Sequence, residues 1–307
     1  MNLARKIFEA NRIFKLLEKG DRILIGFSGG VDSVVLSYLM YKLKDVFGIE
    51  IGLAHFNHNL REDAKDDELF CINFAKSFGI PIYVESYDIK SLKGNIEENA
   101  RKKRYEFLQK TAKKESFNKI ATAHHLDDLA ETMILWFVRG GGLKGLSGFK
   151  AFQNNIIRPL ITATKEEIKD FAQKENLSWK EDYTNYDETI SRNLIRHKVI
   201  PILKKINPNF LSTVLQESII LQDEEAFLEN YTEKLIKSID VDVFDIKSLK
   251  SQPKAIQRRI VRKIFGTKSF QKTELVLRLL ENAKQIRLSK DKILEVKNGK
   301  ITIKRMI

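Results

Sequence analysis

Short apolar runs and longer amphipathic stretches alternate along the first half of the chain. RILIGF at 22–27, EIGLAHF at 50–56, PIYVES at 81–86 and KIATAHH at 119–125 have strand character. Between and after them, VVLSYLMYKL at 34–43 and LAETMILWFV at 129–138, with the stretches 63–78 and 96–115, have helix-like spacing. Alternation with short joins predicts a parallel sheet covered by helices on both faces, so the expected class is α/β. NNIIRPLI at 154–161 is a further strand candidate. Thr164, with Glu167 three residues on, has the signature of a helix capping box. Apolar positions from Asn209 to Ser238 predict one long helix, which bridges a first domain at 1–216 to a second at 217–307. ILEVK and KITIK flank Asn298-Gly299, which predicts a hairpin with a type I′ turn and gives the second domain a mixed character. The glycine-rich GGGLKGLSGF at 140–149 is expected to be a mobile loop rather than a helix.

Composition narrows the class. The chain has 307 residues, of which 43% are hydrophobic, enough for two domains with cores. No apolar run is long enough to cross a bilayer and the N-terminus has no secretory core, so a cytoplasmic, membrane-free protein is expected. A single cysteine, Cys71, excludes internal disulfides, Cys-ligated zinc and iron–sulfur clusters, and its apolar neighbours Phe70 and Phe74 mark it as a core position. The net charge of +13 favours a polyanionic partner, with nucleic acid first. Residues 219–307 contain 20 Lys and Arg against 12 Asp and Glu, making the smaller part the more basic.

Candidate chemistry falls where the predicted strands end, which is where open parallel sheets bind ligands. Ser28 to Ser33 read SGGVDS, between a strand and a helix. Gly29 and Gly30 allow a tight turn whose N–H groups, with those of the helix start, cradle phosphate. No Gly-Lys-Ser/Thr follows and G-x-G-x-x-G is absent, so the pattern is neither a Walker loop nor a dinucleotide fingerprint. Asp32 adds a carboxylate suited to magnesium on bound phosphates. In HHLDDLAET, Asp128 and Glu131, and Asp127 and Glu131, share a helical face that suits a metal or a base. In NIEENARKKRYEF, Arg101 and Arg104 lie one turn apart and their guanidinium forks suit phosphates. The charge-rich stretch from Trp179 is expected to end at Pro201, with Arg192 and Arg196 four apart on one helical face.

Together these motifs resemble a known family. SGGVDS resembles the pyrophosphate loop of the N-type ATP pyrophosphatases. HFNHNLRED, NIEENARKKRYEFL, ATAHHLDDLAETMILWFVRGGGLKGLSG, IIRPLI, WKEDYTNYD and SRNLIRHKVIPIL resemble blocks of the tRNA(Ile)-lysidine synthetases, over residues 22 to about 203. The resemblance implies a PP-loop domain of adenine nucleotide α-hydrolase type, followed by a smaller mixed α/β tRNA-binding domain. It implies ligation of L-lysine to carbon 2 of the wobble cytidine of a CAU-anticodon tRNA(Ile), through an adenylated cytidine. ATP would be the co-substrate, with Mg2+ on Asp32 and Asp128. Ser28, Gly29, Gly30, Val31, Asp32 and Ser33 would hold the phosphates, and His55, Phe56 and His58 would border the adenine. Arg101 and Arg104 would offset adenylyl charge, Glu131 or Asp128 would orient or deprotonate the lysine amine, and Arg139, Arg192, Asn193 and Arg196 would lie near tRNA and lysine. Oligomeric state stays open, a homodimer included. Ammonia-using synthetases share SGGVDS but need no basic appended domain. Thiolating relatives need more cysteines than Cys71, and a non-catalytic RNA binder would leave the phosphate turn unexplained.

Overall fold

The computed structural model describes residues 3–57, 64–87, 96–181, 190–237, 244–267, 269–282, 285–289, 292–297 and 300–305. It divides into two compact units, Met1–Ile220 and Leu221–Ile307. The first unit begins α1 (Leu3–Phe14), β1 (Arg22–Gly26), α2 (Val31–Phe47), β2 (Glu50–Asn57), α3 (Ala64–Ser77), β3 (Ile82–Ser86), α4 (Ile96–Lys114), β4 (Lys119–Ala121) and α5 (Leu126–Arg139). It continues with α6 (Gly142–Leu146), β5 (Phe152–Gln153), β6 (Ile156–Ile157), α7 (Lys165–Lys174), α8 (Ser191–Leu194), a π-helical turn (Ile195–Val199) and α9 (Ile200–Ile206). Helix α10 (Phe210–Lys237) spans the division between units.

The sheet order is β3-β2-β1-β4-β6-β5, parallel except for β5 against β6. Ile23, Leu24 and Ile25 are fully buried, as a strand covered on both faces requires. Ile23, Ile25 and Phe27 pack with Val34, Val35 and Leu39 of α2, and Leu24, Ala54 and Phe56 pack with Phe107 and Leu108 of α4. Cys71 is fully buried in α3. Thr164 caps α7 as its spacing predicts, accepting from Glu167 N–H at 3.2 Å while its own N–H donates to Glu167 at 2.8 Å.

Three expectations change. Residues 142–146 form a helix rather than a loop: a Cβ on Gly141 or Gly145 would lie 2.9 or 3.1 Å from Trp136, so missing side chains let this turn close against α5. Strand β4 stops at Ala121, leaving both histidines to the turn and cap before α5. The stretch expected to end at Pro201 runs on: the backbone is helical without a break from Ser191 to Ile206, and Pro201 lies in the first turn of α9, directly after the π-helical turn.

The second unit contains β7 (Phe244–Asp245), α11 (Ile246–Lys250), α12 (Lys254–Phe265), α13 (Phe270–Asn282), β8 (Gln285–Ser289), β9 (Lys292–Lys297) and β10 (Lys300–Arg305). The sheet order is β7-β10-β9-β8, all antiparallel. Leu249, Ile256, Ile260, Val261, Val276 and Leu280 form its core, and Leu228 and Leu235 of α10 pack on it. The β9–β10 pairing brings Lys297 opposite Lys300, while the turn residues 298 and 299 lie outside the described residues.

Candidate active site

The turn after β1 leaves backbone N–H groups unpaired within the helix that follows it. Gly29 has φ +82, which demands glycine, and a Cβ there would also press on Cys71 Sγ at 3.2 Å and Phe70 at 3.3 Å. Ser33 Oγ donates to Gly30 O at 2.9 Å, and the Ser28 and Ser33 hydroxyls lie 3.1 Å apart. Val34 N–H is the first to bond within the helix, to Gly30 O at 3.0 Å, so those of Val31, Asp32 and Ser33 have no intrahelical acceptor. Lys180 N–H donates to Gly29 O at 2.9 Å, strapping the turn from outside. Beneath it, His55 Nδ1 lies 2.9 Å from Phe27 O and carries the proton, since a carbonyl only accepts.

Asp32 is gripped by Lys165, whose Nζ is 2.6 and 2.7 Å from the two carboxylate oxygens. His125 Nε2 stands between acids, 3.8 Å from Asp32 and 3.5 Å from Asp128. Asp128 accepts from His125 N–H at 3.0 Å. Burial alone would raise the Asp128 pKa, but His125, His124, that backbone bond and Arg196 together hold it below the ordinary value. Glu131 is fully buried, and burial outweighs its arginine partner to lift its pKa. Arg196 donates through Nε to Glu131 at 2.5 Å and through Nη2 at 2.9 Å, and also reaches Asp128 at 3.5 Å. Arg192 Nη2 lies 3.4 Å from Thr132 Oγ1, so both arginines reach across to α5. Arg196 sits on the π-helical turn, a widened coil often found at functional sites.

Of the candidates read from sequence, Asp32, Asp128, Glu131 and Arg196 are linked through these contacts, and Asn193 is buried one turn earlier. Asp127 points elsewhere, to Lys165 N–H at 2.8 Å and Lys204 at 3.4 Å, so it does not share a site with Glu131. Arg139 is exposed at the end of α5, roughly 16 Å along the axis from Asp128 at 1.5 Å per residue. His55 and Phe56 side chains are both buried, in the two opposite core layers. His58 lies outside the described residues. Lys165, His125, Lys180 and Arg158 have parts that sequence reasoning missed.

The donor set fits magnesium. Asp32 and Asp128 offer hard carboxylate oxygens on either side of one imidazole. Among the described residues no three His, Cys, Asp or Glu gather into a cage, and Mg2+ needs none, because it keeps waters and takes substrate phosphates beside one or two carboxylates.

Sheet, glycine turn and acidic helix define a PP-loop nucleotide-binding domain. A PP-loop domain model matches residues 3–203, and a TilS-like substrate binding domain model matches 237–303. A tRNA(Ile)-lysidine synthase of Persephonella marina is 39% identical over 93% of this chain and 66% of its own length, and one of Thermosipho africanus is 41% identical over 70% and 52%. That of Petrotoga mobilis is 42% identical over 67% of this chain and 68% of its own. The U34-tRNA thiolase NcsA of Methanococcus maripaludis, with its [4Fe-4S] cluster, shares the fold at TM-score 0.62 and 18% identity, over 72% of this chain and 78% of that one. The chain therefore belongs to the tRNA(Ile)-lysidine synthase family, and it spans about half to two thirds of the length of the relatives just named.

Proposed function

We propose that the protein joins L-lysine to carbon 2 of the wobble cytidine of a CAU-anticodon tRNA(Ile), using ATP and passing through an adenylated cytidine. The observation that carries this reading is the phosphate turn linked, through Asp32 and His125, to the Asp128–Glu131–Arg196 bracket. One half suits a nucleotide and the other an amine. The turn's N–H groups and the hydroxyls of Ser28 and Ser33 hold the β- and γ-phosphates. Asp32 and Asp128 would hold Mg2+, which when bound supplies positive charge against the phosphate oxygens. Oxygen on carbon 2 of cytosine is a poor leaving group until adenylated. Arg101 and Arg104 offset charge on the adenylyl group, Arg104 being the more buried of the two.

Lysine arrives as an ammonium and is unreactive until a proton is removed. Glu131, with its raised pKa, is suited to accept that proton, while Asp128, held low, is suited to stay anionic and orient the amine. Arg192, Asn193, Arg196 and Arg139 serve lysine and RNA contacts. The basic second unit serves tRNA, because a methionine tRNA with the same CAU triplet must be rejected on features outside the anticodon. AMP release from ATP, assayed with L-lysine and unmodified tRNA, tests the reading. Release that needs both supports it, and release with ammonia and a free nucleotide, or none at all, overturns it.

A further inference from the structure

Three arginines and His124 gather on the α4 face of the sheet. Arg158, just after β6, is 5% exposed. Its Nη1 donates to Lys150 O at 2.5 Å, its guanidinium stands 5.0 Å from the Phe149 ring centroid, and Tyr105 bonds to it. Its Nε is buried without a partner among the described residues. Arg101 and Arg104 flank the same Tyr105 ring at 5.7 and 5.8 Å. The His124 ring lies tilted at 5.4 Å from that of Phe149, its Nδ1 2.9 Å from Thr122 Oγ1. Burial pushes its pKa down to about 3, with the three arginines acting the same way and Asp128 opposing them. Among the described residues none of the three arginines is paired with a carboxylate.

Burying one guanidinium beside two more, with no counter-ion among the described residues, costs folding free energy that an arriving anion would return. The planar forks match phosphate. Position says whose phosphate. In the order β1-β4-β6 the cluster's floor is two strands from the glycine turn, about 10 Å at 4.8 Å per strand. It also lies with α4, whereas the turn opens into α2 on the other face. Terminal phosphates of a nucleotide seated in that turn do not fall on Arg158, whereas the strand carrying the acceptor base brings phosphates of its own.

We infer that Arg158 and His124, beside the two arginines assigned to the adenylyl group, form a second phosphate site, which takes an RNA backbone phosphodiester next to the base being modified. Arg158 is its buried floor and a positioning residue. The inference rests on the reading that the acceptor is an RNA base. Full-length protein is titrated, without ATP, with a CAU anticodon stem-loop RNA and with the same RNA bearing a neutral methylphosphonate at each phosphate flanking the target cytidine. The expected result is a loss of about tenfold in affinity at one of the two positions, as for one charge-assisted hydrogen bond. Arg158→Met should lose as much on native RNA and nothing more on that modified RNA, while keeping its affinity for a non-hydrolysable ATP analogue. If thermal melting shows that this variant does not fold, Arg158→Gln carries the same cycle. Losses that simply add, no methylphosphonate effect in the unmutated protein, or a fall in nucleotide affinity equal to the fall for RNA overturns the inference. Failure of lysine- and tRNA-dependent AMP release would instead defeat the proposed function, so the two are told apart.

Discussion

Asp32 is held by both oxygens on Lys165, and His125 links it to Asp128, so its charge is already engaged before any nucleotide arrives. Replacing Asp32 with Ala is expected to abolish AMP release while tRNA retention on filters changes less than twofold, because the charge that attracts RNA is spread over the chain. Glu131→Gln leaves the half-buried Arg196 without its main counter-ion. It should cost about 3 kcal/mol of stability in urea titration and abolish lysine-dependent AMP release, while ATP-analogue affinity stays unchanged. His124 sets an acid limit. Its folded pKa of about 3 lies below the ordinary 6.5, so below pH 6.5 the unfolded chain takes up a proton that the folded one refuses, and stability falls with pH. Down to about pH 5, where carboxylates remain ionised, this amounts to about 2 kcal/mol. His124→Asn should flatten that part of the stability profile. Asp32, Asp128 and Glu131 were legible because the chemistry of a strand end is written in consecutive residues. Lys165 and Arg158 were not, since each meets its partners from another strand crossing and no local spacing announces them.

At the scale of elements, the strands were read from their apolar runs because a sheet covered on both faces tolerates little else. Glycine content misled at 142–146, where Gly141 and Gly145 are packing surfaces for Trp136 rather than helix breakers. Asp21 and Lys119 make a tie that no run predicts: Nζ lies 2.8 Å from the carboxylate, both side chains are buried, and the pair joins the start of β1 to β4. Burial would raise the Asp21 pKa, but Lys119, Glu18 N–H and Asn118 hold it low. Lys119→Met strands that charge and should cost about 3–5 kcal/mol in denaturant unfolding.

For the whole molecule, net charge of +13 is the plainest sign of its partner, yet not all of it is available. On α12, Arg258, Arg259 and Lys263 are paired with Glu274, Glu225, Glu229 and Glu233. The β9–β10 backbone register, by contrast, pairs position 292 with 305 and 297 with 300, and the sequence puts Lys or Arg at all four. Lys292→Glu with Arg305→Glu is expected to weaken tRNA retention and flatten its dependence on salt, by roughly 0.7–0.9 in log–log slope for each phosphate the protein no longer neutralises. ATP-analogue affinity should not move. The π-helical turn has a consequence of another kind. Relatives differ from this chain widely in total length, but the extra residue wound into Ile195–Val199 must be counted without error, since dropping one would swing Arg196 by about 100° away from Glu131. Natural variation there should therefore change letters freely while tolerating neither insertion nor deletion.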